Sequence, residues 1–207
     1  MKTTPQKDKI LEAVLRNIPF DGWTQDAVNQ AIEADEFTAK DWQTEFSGSL
    51  DKLVAYFGDY TDQKMLEQID HEAFKDMRVR DKIAYLVRLR LEICEPHKEA
   101  IKTGVKFFMR PDRAIKVPQY FWRTADLMWY EAGDTATDYN HYSKRFLLSG
   151  VLKSTLLYWL NDKSENHEKT WVFLDNRIND VLKIGGTIGK FINFAEKFNP
   201  FVKKEAS

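Results

Sequence analysis

The residues best able to carry chemistry in this chain are four histidines and one cysteine. A zinc or di-iron site needs His, Cys or carboxylate ligands gathered at characteristic spacings. His71, His97, His141 and His167 are scattered along the sequence, and no Glu-x-x-His pair occurs. Cys94 lies three residues before His97, but a proline separates them and no further ligand is near. We therefore expect no metal site and no cofactor.

The sequence also lacks the patterns of nucleophilic or dinucleotide chemistry. There is no nucleophile elbow, and a lone cysteine on a helical apolar stripe is typical of a small buried residue. Gly185, Gly186 and Gly189 follow a predicted helix, whereas a dinucleotide fingerprint follows a strand. The paired carboxylates lie on charge-rich helices, which usually face solvent. We expect no catalytic residue and a protein that is not an enzyme.

Charge is divided unequally along the chain, although the net charge is only −1. Residues 1–76 carry 8 Lys or Arg against 16 Asp or Glu, a balance of −8, and residues 77–207 have a balance of +7. A nucleic-acid-binding domain needs basic side chains to neutralise phosphates. The acidic first part therefore predicts no nucleic-acid partner.

The chain is predicted to be helical nearly throughout, because apolar side chains recur at spacings of three and four. The histidines, the cysteine and the charged residues are therefore expected to lie on or between helices. Thr24 and Thr38 suit the first positions of two short helices, and Asp41 completes a capping-box pattern with Thr38. A tight turn is predicted near residues 35–37, between those helices. This outline resembles the helix-turn-helix domain of TetR-type regulators, and Trp42 and Phe46 agree with it.

Longer apolar helices follow in the second part. One is predicted to end at Glu95-Pro96, one to cover residues 111–132 with Gly133 just after its end, and one to cover 138–160. The fold class is all-α and TetR-like, with about ten helices. We predict a degenerate helix-turn-helix domain over 1–76, a larger helical ligand-binding domain over 77–183, and an amphipathic C-terminal helix over 184–207.

A long mixed motif over residues 122–145 carries a more specific resemblance. It consists of residues that match a typical run of one family, namely Ala125, Asp126, Trp129, Tyr130, Ala132, Gly133, Asp134, Thr137, Asp138, Asn140, Tyr142 and Arg145. A second block, Phe173 to Asp180, agrees as well. On these residues the chain resembles the lipid-binding accessory family of ubiquinone biosynthesis, and the resemblance spans roughly residues 80–185.

The resemblance implies a TetR-like fold that no longer reads DNA and that binds an isoprenoid lipid, ubiquinone or a precursor. It also implies presentation of that lipid to the di-iron quinone hydroxylase of the pathway. The implied partner-binding patch consists of Asp138, Asn140, His141, Tyr142 and Arg145. His141 departs from the family pattern, where Trp is usual, and this weakens one apolar anchor of the interface. A ligand-responsive transcription regulator is the alternative function.

An isoprenoid chain needs an apolar tunnel between helices. The candidates to line it are Leu86, Trp122, Met128, Trp129, Phe146 and Val151, although each could instead fill the core. Arg145 is expected to form a surface ion pair with Asp134 or Asp138.

The C-terminal residues predict contact with an anionic membrane. They combine an apolar stripe with basic residues, and the candidates are Phe191, Ile192, Phe194, Phe198, Phe201, Lys190 and Lys197. A last helix folded onto the core is the alternative. No signal peptide or membrane span is recognisable, so we expect a cytoplasmic protein that is peripheral on the inner membrane. TetR-like proteins usually pair through their last helices, and we expect a homodimer by that analogy.

Overall fold

The computed structural model describes residues 3–135 and 139–197, with residues 139 and 184–197 described by their backbone only. All regular structure in this part of the chain is helical. The first six helices are α1 (Pro5–Leu15), α2 (Ile18–Asp21), α3 (Gln25–Glu33), α4 (Ala39–Phe46), α5 (Leu50–Glu67) and α6 (His71–Lys75). The next six are α7 (Val79–Cys94), α8 (Lys98–Phe107), α9 (Pro111–Ala114), α10 (Val117–Glu131), α11 (Tyr139–Asn161) and α12 (Glu168–Lys197). The predicted all-α class is confirmed.

The predicted helix-turn-helix is present as α3 and α4. The side chain of Thr24 accepts a hydrogen bond from the backbone of Ala27, and Thr38 and Asp41 cap α4 reciprocally. Between the two helices, Asp35 has a φ of 60°, a left-handed conformation that Asp tolerates better than most residues. Polar side chains thus satisfy the free amides at both helix starts.

The described residues form two hydrophobic cores, one in the first half of the chain and one mainly in the second half. The first joins α1–α5 around Ile10, Val14, Phe46 and Tyr56. The second joins α7, α10, α11 and α12 around Leu86, Met128 and Trp159. The division is not strict, because Ala100 and Phe107 of α8 belong to the first core and Met65 of α5 to the second.

Two predicted helices differ from those observed. The helix expected over 111–132 is interrupted at Ile115 and Lys116, so that α9 and α10 form separately. The reason is Pro118 in the first turn of α10, where its missing N–H costs nothing but where a continuous helix would lose a hydrogen bond. In addition, α12 runs without a break from Glu168 to Lys197, across the boundary predicted at residue 184.

Gly133 follows α10 as predicted and has a φ of 90°. Its amide donates to the Tyr130 carbonyl, and the Asp134 amide donates to the Trp129 carbonyl at 2.9 Å. This pair of bonds is a Schellman motif, which needs a left-handed residue at the position of Gly133. It turns the chain sharply and directs Asp134 back toward the helices.

Candidate functional site

A half-open groove of about 1040 Å³ is bounded by α5, α7, α8, α10, α11 and α12. Its volume is at the upper end of small-molecule sites, and its walls are mainly apolar and aromatic. The apolar lining includes Val54, Phe57, Ile101, Phe108, Phe121 and Leu156. The arrangement can remove a long apolar molecule from water.

Of the six residues predicted to line an isoprenoid tunnel, the structure places three on the walls of this groove, namely Trp122, Phe146 and Val151. Leu86 and Met128 are instead fully buried within the second core. Trp129 packs against that core and donates its indole N–H to the Lys144 carbonyl at 3.1 Å. Helical periodicity places a residue on an inward face, but it does not distinguish a groove wall from the core behind it.

A polar cluster inside the groove was not predicted. The Arg90 Nε donates to Asp62 Oδ1 at 2.7 Å, and the Thr124 hydroxyl donates to the other Asp62 oxygen at 2.8 Å. All three residues line the groove, and Asp62 and Thr124 are buried. The sequence feature that could have indicated this cluster is Arg90, because a charged residue on the apolar stripe of α7 needs a polar partner inside the protein.

The cluster has electrostatic effects on its neighbours. Burial opposes the charge of Arg90, but the Asp62 carboxylate outweighs it and raises the pKa of Arg90. One helical turn further along α7, burial raises the pKa of the Cys94 thiol, although the Arg90 charge acts in the opposite direction. At this point of the groove the Arg90–Asp62 ion pair therefore stays charged, and the Cys94 thiol stays protonated.

The corner between α10 and α11 is held by a second polar network, which is centred on the buried side chains of Arg145 and Asp134. Arg145 is 4% exposed, and its guanidinium bonds Asp126, the Asp134 carboxylate at 3.0 Å and the His141 carbonyl at 3.0 Å. Lys144 Nζ reaches the other Asp134 oxygen at 2.6 Å. The expectation of an ordinary surface ion pair for Arg145 was wrong about its burial, because the turn at Gly133 brings Asp134 inside.

The other predicted partner-binding residues differ in exposure. Asn140 is exposed, His141 is half-buried, and Tyr142 is 62% exposed, with its ring 6.3 Å from that of Trp122. Arg145 can support this surface from beneath but does not present its side chain there. Asp138 lies outside the described residues.

A basic segment borders the groove between α8 and α10. Met109 and Ile115 are 75% and 80% exposed, and Met109 is also part of the groove lining. Basic residues lie near them along the chain, namely Lys102, Lys106, Arg110, Arg113 and Lys116, of which the last two pair with Asp51. We call residues 102–116 the basic rim.

The structure does not describe the side chains of the C-terminal membrane-binding candidates. For Lys190, Phe191, Ile192, Phe194 and Lys197 it gives only the helical backbone, and Phe198 and Phe201 fall beyond its last described residue. Within the described part, no helix is both long and apolar enough to span a bilayer. The same part has no group of three or more His, Cys, Asp or Glu placed to bind a metal ion.

Comparison with known proteins agrees with the family resemblance. Residues 115–185 match the COQ9 family model. The chain is 29% identical over 190 residues to the mitochondrial ubiquinone biosynthesis protein COQ9 of Rattus norvegicus, covering 86% of this chain and 59% of that protein. The corresponding Drosophila melanogaster protein is 28% identical, covering 92% and 61%. The chain thus spans about 60% of the length of these relatives, and the resemblance to the ubiquinone-biosynthesis family is confirmed.

Among solved structures, the chain is similar to the TetR transcriptional regulator from Nitrosomonas europaea ATCC 19718. The TM-score is 0.70 at 18% identity, with 86% of this chain and 99% of the other covered. At this identity the likeness concerns the fold, and the predicted TetR-like architecture is confirmed.

Proposed function

We propose that this chain, which has a TetR-like fold and matches the COQ9 family over residues 115–185, serves ubiquinone biosynthesis as a non-catalytic lipid carrier. It would bind an isoprenoid quinone or its precursor in the groove and present it to the di-iron quinone hydroxylase of the pathway. The observation that carries the proposal is the apolar groove of about 1040 Å³, two walls of which, α10 and α11, lie within the family match.

Membrane association would bring the carrier to its ligand. The basic rim supports this, because exposed Met109 and Ile115 lie among lysines and arginines beside the groove. Cationic side chains attract anionic lipid headgroups, and apolar side chains insert between them. The basic C-terminal residues would add a second contact, and the protein would be peripheral on the inner membrane.

Docking to the hydroxylase would use the surface around Asn140, His141 and Tyr142. Tyr142 contacts Trp122, which lines the groove, so this surface adjoins the proposed lipid site. An exposed aromatic residue is a common anchor of protein interfaces.

A homodimer would use the outer faces of α11 and α12. Tyr158 and Val172 are exposed there and do not line the groove. Val172→Glu should convert the dimer to a monomer in sedimentation experiments. A wild-type protein that sediments as a monomer at micromolar concentration would contradict the dimer.

Lipid extraction tests the central proposal. We expect mass spectrometry of the natively purified protein to find a quinone-type isoprenoid. Ala55→Trp and Gly150→Trp, which introduce bulk into the groove lining, should remove this lipid while the protein stays folded. Repeated extractions without any apolar ligand would contradict lipid carriage.

Liposome flotation separates the two membrane contacts. A variant truncated after Gly185 tests the C-terminal residues, and the Met109→Ser/Ile115→Ser variant tests the basic rim. We expect each variant to bind vesicles containing anionic lipid less well than the wild type. Unchanged binding of the truncated variant would show that the C-terminal residues are not an anchor.

A transcription regulator remains the second candidate, since the fold is that of TetR-type proteins. In α4, which corresponds to a recognition helix, Asp41 and Glu45 outnumber Lys40, and residues 1–76 have a balance of −8. Phosphates would be repelled by such a surface. We expect no gel shift of DNA from the protein's own locus at moderate salt, and a retained shift would favour the regulator.

A further inference from the structure

The polar cluster in the groove leaves hydrogen-bonding capacity unused. A guanidinium has five N–H donors. Among the described residues, the structure gives Arg90 a single hydrogen bond, from Nε to Asp62. Asp62 is satisfied from the other side by Thr124. The two terminal nitrogens of Arg90 therefore have donors available for a molecule in the groove.

The charge state of the cluster restricts what that molecule can be. Asp62 already neutralises Arg90, so a negatively charged head group placed beside Arg90 would lose its hydration without gaining a free partner charge and would be repelled by the Asp62 carboxylate, which is costly. Because a guanidinium only donates hydrogen bonds, the ligand must supply an acceptor. A neutral oxygen acceptor such as a carbonyl meets both conditions.

We propose that Arg90, held by Asp62 and Thr124, is the site that binds the head group of the lipid and selects a neutral ring bearing carbonyl oxygens. The apolar chain of the ligand lies along the aromatic walls at Phe108 and Phe121. Pockets of this kind are mostly apolar and use a few placed polar groups to fix orientation. This inference rests on the proposed lipid carriage and specifies which end of the lipid is recognised, and where.

Competitive binding of three probes tests the head-group site. The probes are decylubiquinone, decylbenzene as the hydrocarbon of equal chain length, and farnesyl diphosphate as the charged isoprenoid. Each displaces the neutral fluorescent ligand N-phenyl-1-naphthylamine from the intact protein. We expect decylubiquinone to bind roughly 10- to 100-fold more tightly than decylbenzene, the gain typical of hydrogen bonds from a charged donor. Farnesyl diphosphate should bind more weakly than decylubiquinone.

The variants assign this preference to Arg90. In the Asp62→Leu/Arg90→Met variant both charges are removed together, which proteins usually tolerate. It should bind decylbenzene as the wild type does and lose the preference for decylubiquinone. Arg90→Lys keeps a charge beside Asp62 but lacks the fork of donors, so its preference should fall several-fold. Arg88→Met, which alters an exposed ion pair on the same helix at a residue that does not line the groove, should keep the preference.

Three outcomes would overturn the inference. They are equal binding of decylubiquinone and decylbenzene by the wild type, an undiminished preference in both Arg90 variants, and tighter binding of farnesyl diphosphate than of decylubiquinone. If N-phenyl-1-naphthylamine and every probe fail to bind, lipid carriage itself is wrong, and the head-group site falls with it.

Discussion

Arg145 is a charged residue whose buried side chain holds the start of α11 to the end of α10. Its guanidinium joins Asp126 and Asp134 to the His141 carbonyl, and its position is almost fully buried. Sequence identified Arg145 as a motif residue but assigned it to the surface. Its burial follows from the turn at Gly133, and spacing alone does not reveal that turn's direction.

Removing the Arg145 charge should destabilise the protein. In Arg145→Met, the buried Asp134 carboxylate loses its guanidinium partner, and removing one partner of a buried ion pair is costly. We expect a loss of about 2–4 kcal/mol in the free energy of unfolding, measured by urea titration. Arg78→Met, at an exposed pair with Asp81, is the control and should leave the midpoint unchanged. Equal effects of the two variants would contradict the role given to Arg145.

At the scale of elements, the end of α10 depends on one backbone conformation. Gly133→Ala meets no steric obstacle, yet it forces a Cβ onto a φ of 90°. We expect a loss of about 1–2 kcal/mol in thermal or urea unfolding. Gly150→Ala, in the interior of α11 with equally open space, should stabilise by about 0.5–1 kcal/mol. If both substitutions changed the free energy of unfolding in the same direction, this interpretation of Gly133 would be wrong.

The turn between α11 and α12 is tied by Asp162. Desolvation acts to raise the pKa of Asp162, but hydrogen bonds from the hydroxyl and backbone groups of Thr170 and Ser164 outweigh it and hold the pKa well below its ordinary value. The deprotonated carboxylate is therefore the form that stabilises the start of α12.

The pKa of Asp162 is lower in the folded protein than in the unfolded chain, where it is near 4. The carboxylate therefore stabilises the fold fully above about pH 4, and this stabilisation is lost as the pH falls toward the pKa of the folded state. Asp162→Asn should therefore lower stability by about 1–2 kcal/mol at pH 7. The difference from the wild type should shrink between pH 4 and pH 2. Urea midpoints at both ends of this range measure it, and an offset that does not change with pH would refute the assignment.

At the scale of the whole molecule, the two cores are joined by shared helices. The Trp23 indole donates to the Ala100 carbonyl at 2.9 Å in a buried contact between the first core and α8. This hydrogen bond connects the acidic residues 1–76 to the helices that form the groove. Helix α8 contributes side chains both to the first core and to the groove lining.

Because the two cores are connected in this way, we expect them to unfold together. We expect far-ultraviolet circular dichroism and tryptophan fluorescence to report one transition. Trp23→Phe should shift that transition by about 1–2 kcal/mol, through the lost hydrogen bond, without dividing it. Two separate transitions in the wild type would show that the two cores are independent.

The sequence was sufficient for the helices that carry strong periodicity and clear caps. Thr24, Thr38 and Gly133 marked boundaries because capping depends on a few adjacent residues. The groove was only half predictable, since Trp122 and Met128 have similar apolar character and differ in which side of α10 they occupy. The pairing of Asp62 with Thr124 joins residues 62 positions apart, and no local pattern contains it.

Cys94 bears on what a quinone would meet in the groove. A quinone ring is an electrophile, and a cysteine attacks electrophiles as the thiolate. Burial keeps this sulfur protonated even though it lies one turn from the Arg90 charge. A thiol is a far weaker nucleophile than its thiolate, so this burial would slow adduct formation between Cys94 and a quinone in the groove and would favour release of the lipid chemically unchanged.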